Sequence, residues 1–345
     1  MLQPASIASV PAGAQSNARS RAPVFVVGCP RSGTTLLYHM LLSAGNFAIY
    51  RTESSVLSLL EPRFGNLSAE RNRRRLLQAW FESKLFTASG LTKEEITSKI
   101  MADCRSGGDF LRIFMSEIAR KQGVQRWADT TPEHLLYLHR IKRTIPDALV
   151  IHIIRDGRDV ALSMDKLGYI RRLFWDRSPS RMAAGLYWQW MVRMGRQNGR
   201  EFGPDYLEVH FENLVREPQE TLVGIGQFIA QDLDYDQIRK VGIGSVSTPN
   251  SSFSGEASSN PVERWRSGYS NEELTMFEAL AGRTLAENGY ELAASGFHTS
   301  NPARFEMMRL KMMRSGYVNY FGAKLFLKTR TPLGRVLVTR DLSWV

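Results

Sequence analysis

Gly28-Cys29-Pro30-Arg31-Ser32-Gly33-Thr34-Thr35 carries the densest chemistry of the chain. Its spacing is that of a glycine loop whose backbone N–H groups cradle phosphate oxygens, G-x-x-x-x-G-K-[ST], with one departure. Thr34 stands where the lysine that reaches the β- and γ-phosphates would be. The loop therefore suits a phosphorylated ligand other than the usual triphosphate, and Arg31 adds a fixed charge able to fork onto phosphate or sulfate oxygens without metal or lysine. A second polar cluster, Arg155-Asp156-Gly157-Arg158-Asp159 with Ser163 beyond it, reads either as another anion site or as ion pairs at a helix start. Glu53, in Arg51-Thr52-Glu53-Ser54, is a carboxylate placed to cap a helix or to pair with Arg51.

These residues need elements to position them. Val24-Phe25-Val26-Val27 is a short β-branched run like a buried parallel strand, and Leu36, Leu37, Met40 and Leu41 recur at helical spacing after the loop. Leu149 to Ile154 reads as a second buried strand leading into the Arg155 cluster, and Ala48-Ile49-Tyr50 as a short strand leading to Glu53. In open α/β sheets ligands bind beyond the carboxyl ends of the strands, where all three segments would meet. The expected fold is a single α/β domain: a P-loop-type parallel β-sheet flanked by helices. Residues 61–122 read as a helical cap insertion that chooses the acceptor, with Leu76, Leu77, Trp80, Phe81 and Leu85 on one apolar face. Arg71, Arg73, Arg74 and Arg75 within it are expected to form a solvated face. Residues 165–181, with Tyr169, Phe174 and Trp175, read as a mobile aromatic loop with the same task.

Residues 23–36 resemble the 5′-phosphosulfate loop of sulfotransferases that use 3′-phosphoadenosine 5′-phosphosulfate (PAPS), where arginine or lysine precedes S-G-T-T. The resemblance continues to about residue 290. Trp127 to His134 resembles the family's D-K-T-P segment, Tyr206 to Val215 its strand followed by (Y/F)-E-(D/N)-L, and Val262 to Ser270 its basic loop over the 3′-phosphate. The resemblance implies that Arg31, Ser32, Gly33, Thr34 and Thr35 hold the 5′ end of the cosubstrate. It assigns Arg155, Ser163, Arg264, Trp265 and Arg266 to the 3′ end. Related tyrosylprotein and bacterial sulfotransferases place a catalytic glutamate close to position 53, so Glu53 is the expected base and Arg31 the catalytic cation; Asp129 and His134 are reserve bases. The implied reaction is in-line sulfuryl transfer from PAPS to an acceptor hydroxyl or amine, with no metal required. This chain departs twice from the pattern. The D-K-T-P lysine is Thr130, so Arg51 or Lys166 must replace its charge or activity is low, and Phe211 replaces a frequent tyrosine.

Composition agrees with this reading without requiring it. A chain of 345 residues with 43% hydrophobic content can bury a large core. Cys29 and Cys104 are too few for a disulfide framework, and neither they nor the histidines show metal-ligand spacing, which points to a reducing, cytoplasmic compartment. No run of about 18 uncharged apolar residues suggests a transmembrane helix. Residues 1–22 read as a disordered tail and 23–300 as the catalytic domain. Residues 301–345 form a basic amphipathic extension that either docks on the domain, the preferred reading, or rests on anionic lipid. The net charge of +11 suits an anionic cosubstrate, and no nucleic-acid module accompanies it. The acceptor stays open among glycans, lipids, peptides and small molecules, as does the oligomeric state. Rival readings are a P-loop small-molecule kinase and a non-catalytic nucleotide-binding or membrane-docking protein.

Overall fold

Valine and isoleucine dominate the strands β1 (Val24–Gly28) and β3 (Leu149–Ile154), and every residue of both is buried, as befits a sheet covered on two faces. With β2 (Ala128–Asp129) and β4 (Tyr206–His210) they form one parallel sheet in the order β2-β1-β3-β4. The chain leaves β1 toward β2 on one side, whereas β3 and β4 lie on the other. The strand order thus reverses direction at β1, the kind of switch point beside which open α/β sheets bind ligands at their carboxyl edge. The register sets Gly28 opposite Ile153, so the glycine loop and Arg155 start side by side.

The computed structural model describes residues 18–170, 179–244, 260–293 and 302–315, with isolated positions 326, 330 and 331. In chain order the helices that cover the sheet or frame the site are α1 (Thr34–Ser43), α2 (Glu70–Phe81), α3 (Gly107–Lys121), α4 (Gly157–Lys166), α5 (Ser180–Gly199), α6 (Phe211–Arg216), α7 (Pro218–Ile229), α8 (Asn271–Glu287) and α9 (Pro302–Ser315). Alternation along the strands divides the core. Phe25, Val27, Val150 and Ile154 join α4 and α5 on one face, while Val24, Val26, Ile151 and Ile153 join α1 and α7 on the other.

The helices of residues 61–122 are continuous with that first core rather than separable from it. Trp80 packs edge-on against Phe86 and Phe110, and Phe114 carries the contact on to Tyr50, whose hydroxyl donates to the Leu85 carbonyl at 3.2 Å. Each such buried ring contributes on the order of 1.5–3 kcal/mol, so the segment is welded to the sheet. Arg71, Arg74 and Arg75 are exposed as expected, but Arg73 is not. It turns inward and donates to the Leu67 and Ser68 carbonyls at 2.7 and 2.9 Å, closing the turn before α2.

Two other expectations change. The strand expected at Ala48-Ile49-Tyr50 is reduced to a single bridge between Phe47 and Arg126, since Gln122 supplies the partners of the Ile49 backbone from its side chain. The N-terminal tail ends before residue 22: Arg19 donates to the Phe228 and Pro204 carbonyls, and Ala22 is buried. Residues 1–17 lie outside the described ones. In the C-terminal extension, Met312 of α9 is buried and Phe305 and Met308 pack on the main core, in keeping with a docked helix. Phe174 and Trp175 of the aromatic loop, and nearly all of residues 316–345, are outside the described residues. Among the described residues no helix is long and apolar enough to cross a membrane, and no cluster of His, Cys, Asp and Glu is placed to hold a metal.

Candidate active site

Gly28 closes β1 where its α-carbon faces β3; a Cβ there would lie 2.5 Å from the Ile153 carbonyl, so glycine lets the loop begin this close. The chain then turns through Arg31, a non-glycine residue at φ 73°, and through Gly33 at φ 99°. Any side chain at Gly33 would run into the Phe211 ring. Helix α1 starts next, with no side-chain cap and no acidic residue in its first turn, which leaves its N–H groups and dipole available to an anion. Ser32 and Thr34 are buried, Thr35 is exposed at the mouth, and the Ser32 hydroxyl has no hydrogen-bond partner. Cys29 is wholly buried and burial pushes its thiol well above the usual range, which makes it a packing residue rather than a nucleophile.

The two anion loops meet. Arg31 Nε donates to Ser163 Oγ at 3.1 Å, and Arg155 Nη1 donates to the Arg31 carbonyl at 3.1 Å. Arg155 Nη2 reaches the Pro261 carbonyl at 2.6 Å, its guanidinium lies 4.5 Å from the Phe211 ring centroid, and its buried Nε has no partner among the described residues. Burial first, and then the neighbouring Arg155 charge, lowers the Arg31 pKa; burial also lowers that of Arg155, with the Arg264 charge adding to it and Asp159 opposing it. Arginines held this close raise one another's energy, and a multiply charged anion among them would relieve it.

Behind these arginines lies a layer of carboxylates that no single motif revealed. Asp159 accepts from the backbone N–H groups of Glu263 at 3.0 Å and Trp265 at 2.8 Å, fastening the basic loop to α4. Burial pushes its pKa up to about 6. Glu212 accepts from the Asp156 backbone N–H and from the Tyr290 hydroxyl, both at 3.0 Å, and burial raises its pKa too. Arg158 is buried between Asp156 and Glu278 at 2.7 Å each, with its guanidinium 3.6 Å from the Trp265 ring centroid. In the Arg155 to Asp159 cluster, Asp156 and Arg158 thus form an ion pair, while Arg155 turns to the Arg31 carbonyl of the glycine loop. Within the basic loop, Arg264 is close enough to influence Arg155. Trp265 is buried beneath Arg158, and Arg266 is an exposed partner of Glu263 at 3.3 Å.

The profile of a group described as "Sulfotransferase family" matches residues 23–236, which take in both anion loops and the segments around Asp129 and Phe211. The chain belongs to the sulfotransferase family. It is 26% identical over 221 residues to a putative protein-tyrosine sulfotransferase of Caenorhabditis briggsae, covering 62% of this chain and 66% of that one. It is also 26% identical over 209 residues to the protein-tyrosine sulfotransferase of Drosophila melanogaster, covering 60% of this chain and 37% of that one. The matched region is therefore less than two thirds of either relative's length. In fold it is similar to the sulfotransferase domain of a Synechococcus olefin synthase, with TM-score 0.53 and 22% identity over 79% of this chain and 96% of that domain. A sulfotransferase domain from the curacin biosynthetic pathway is comparable, with TM-score 0.52 and 16% identity over 79% of this chain and 99% of that domain.

Glu53 is exposed, at the end of the segment leading from the Phe47 bridge. Thr130, in the slot of the family lysine, is buried and its hydroxyl has no partner, so the slot supplies no positive charge. Of the candidate replacements, Arg51 is exposed and near enough to His39 to help burial lower that imidazole's pKa, and Lys166 lies one helical turn beyond Ser163 on α4. Asp129 and His134 do not act as reserve bases. Both are buried, and His134 Nδ1 and Asp129 Oδ1 bind each other at 2.7 Å while His134 Nε2 accepts from the Leu57 N–H at 3.3 Å. Burial opposes the Asp129 charge, yet His134 and the hydrogen bonds around it hold its pKa below the usual value.

Proposed function

We propose that this protein transfers a sulfuryl group from PAPS to a hydroxyl acceptor. The observation that carries the reading is the junction of the two anion loops, with Arg31 at 3.1 Å from Ser163 and Arg155 spanning from Arg31 to Pro261. Phosphates on the 5′ and 3′ carbons of one ribose suit such a double cradle. Ser163, Arg155 and Arg264 take the 3′-phosphate, while Arg31 and the N–H groups of Gly33, Thr34 and Thr35 take the 5′ end. The unpartnered Ser32 hydroxyl and Arg155 Nε are further donors for these oxygens.

In the reaction the acceptor oxygen attacks sulfur in line, and the bond from sulfur to the 5′-phosphate oxygen breaks with its electron pair leaving on that phosphate. The acceptor proton passes to Glu53. Arg31 and the N-terminus of α1 meet the charge that grows on the leaving phosphate. Lys166, on the Ser163 side of α4, takes over the charge missing at Thr130. The tyrosine sulfotransferases among the relatives favour a hydroxyl over an amine, and a phenol among hydroxyls.

Incubation with radiolabelled PAPS and a panel of tyrosine peptides, hydroxylated glycans, sterols and amines tests the proposal. Label should appear on a hydroxyl with matching release of the bisphosphate PAP. Tight PAP binding without transfer to any member would instead support a binding protein, the reading that the uncharged Thr130 favours. Displacement of PAP by ATP as readily as by PAPS would support a kinase.

A further inference from the structure

We infer that Asp129, Thr131 and His134 are positioning residues for Glu53, acting through the backbone N–H groups that follow it; the inference rests on Glu53 being the base proposed above. Residues Val56–Leu60 form a wide helical turn, in which the Ser55 carbonyl accepts from Leu59 and Leu60 at 2.9 and 3.2 Å. The first N–H groups of such a turn have no partner within it. Here no local side chain caps them, and Ser55 itself is held at φ 50°, a conformation that persists only where the surroundings impose it.

The surroundings are the 129–134 loop. Thr131 Oγ accepts from the Ser55 N–H at 3.1 Å and lies 3.3 Å from Ser54 Oγ, and His134 Nε2 accepts from the Leu57 N–H at 3.3 Å. Asp129 fixes both acceptors. It receives the Thr131 N–H at 3.0 Å and the Thr131 hydroxyl at 3.3 Å, and it pairs with His134 Nδ1 at 2.7 Å. Because Nε2 must accept from Leu57, the imidazole proton sits on Nδ1 and is donated to Asp129. Asp129 in turn is in register with Phe25 on β1, the strand that leads into the glycine loop. A closed set of hydrogen bonds thus links the strand beneath the cosubstrate loop to the backbone two residues after Glu53. It fixes where the carboxylate stands by holding the backbone that follows it. The motif's aspartate and threonine, and this chain's His134, thereby acquire a task that no reacting atom would reveal.

The test uses His134→Ala, Thr131→Val and Glu53→Gln in the full chain, singly and with each of the first two combined with the third. Hydrolysis of radiolabelled PAPS serves as the assay, with water standing in for the acceptor. His134→Ala and Thr131→Val should each speed amide exchange across residues 53–57 and slow hydrolysis by about tenfold to a hundredfold, with PAP affinity unchanged. Either change added to Glu53→Gln should slow hydrolysis no further. His134→Gln, whose side-chain carbonyl can accept from Leu57, should recover part of the loss. Should His134→Ala fail to fold, Thr131→Val carries the test, because it removes only a hydroxyl. Unchanged hydrolysis in both single variants, or losses fully additive with Glu53→Gln, overturns the positioning role and leaves Glu53 as the base. Wild-type hydrolysis in Glu53→Gln overturns the base, and the inference with it.

Discussion

At the end proposed for the cosubstrate, Arg155 is nearly enclosed and tied to two backbone carbonyls, and Asp159 fastens the basic loop from below. At the end proposed for the acceptor, Glu53 and Arg51 are exposed, and order comes from one layer away, through Asp129, Thr131 and His134. The first region is held by hydrogen bonds made directly to its charged side chain. The second leaves its charged side chains at the surface, with hydrogen bonds made to the backbone behind them.

The largest expected effect breaks the comparison if it fails. Glu53→Gln should cut sulfuryl transfer by about a hundredfold to ten-thousandfold while PAP affinity, read by calorimetry, stays unchanged. A parallel loss of PAP affinity would place Glu53 at the cosubstrate end. Arg155→Ala should do the converse, weakening PAP by about a hundredfold, the worth of a charge-assisted contact of roughly 3 kcal/mol. Adenosine 5′-phosphate, which lacks the 3′-phosphate, should lose far less, and equal losses would remove Arg155 from the 3′ site. Arg264→Ala against Arg266→Ala sharpens the picture within one loop. The first should weaken PAP by about tenfold, and the second, a solvated partner of Glu263, should have almost no effect.

The smallest effect concerns pH. Asp159 is raised from 3.8 to about 6 in the folded protein, mainly by burial. Its folded value lies above the unfolded one, so between those two values the folded state binds more protons, and this residue's contribution to stability falls as pH rises through the window. Thermal melting of wild type and Asp159→Asn across that range should show the wild type gaining on the variant as pH drops. A constant difference would mean that the carboxylate is not buried as described.

Much of the cosubstrate end was legible in the chain because its groups sit next to the elements that carry them. A β-branched run, a glycine loop and a helical repeat within residues 24–41 are local features, and the Arg155 cluster follows its own strand directly. The acceptor end was less legible. Glu53 was singled out only by resemblance to related sulfotransferases, the strand expected before it shrank to one bridge, and Asp129 and His134, read as reserve bases, turned out to be paired with each other in the interior. Arg73 misled for the same reason: in the sequence it belongs to a basic run, and only the carbonyls of the preceding turn draw it inside.

What the chain determined by itself was therefore the α/β character of the fold, the spacing of the glycine loop that carries Arg31, and the absence of a positive charge at Thr130, all of them properties of residue type and short spacing. The tertiary structure alone decided that Arg31 touches Ser163 from 132 residues away, that Glu212 and Asp159 hold the turns around the arginines, and that the 129–134 loop caps the turn after Glu53. Such pairs follow from the register of parallel strands and the burial of whole faces. Residues distant in the chain become neighbours only when all the elements between them have packed.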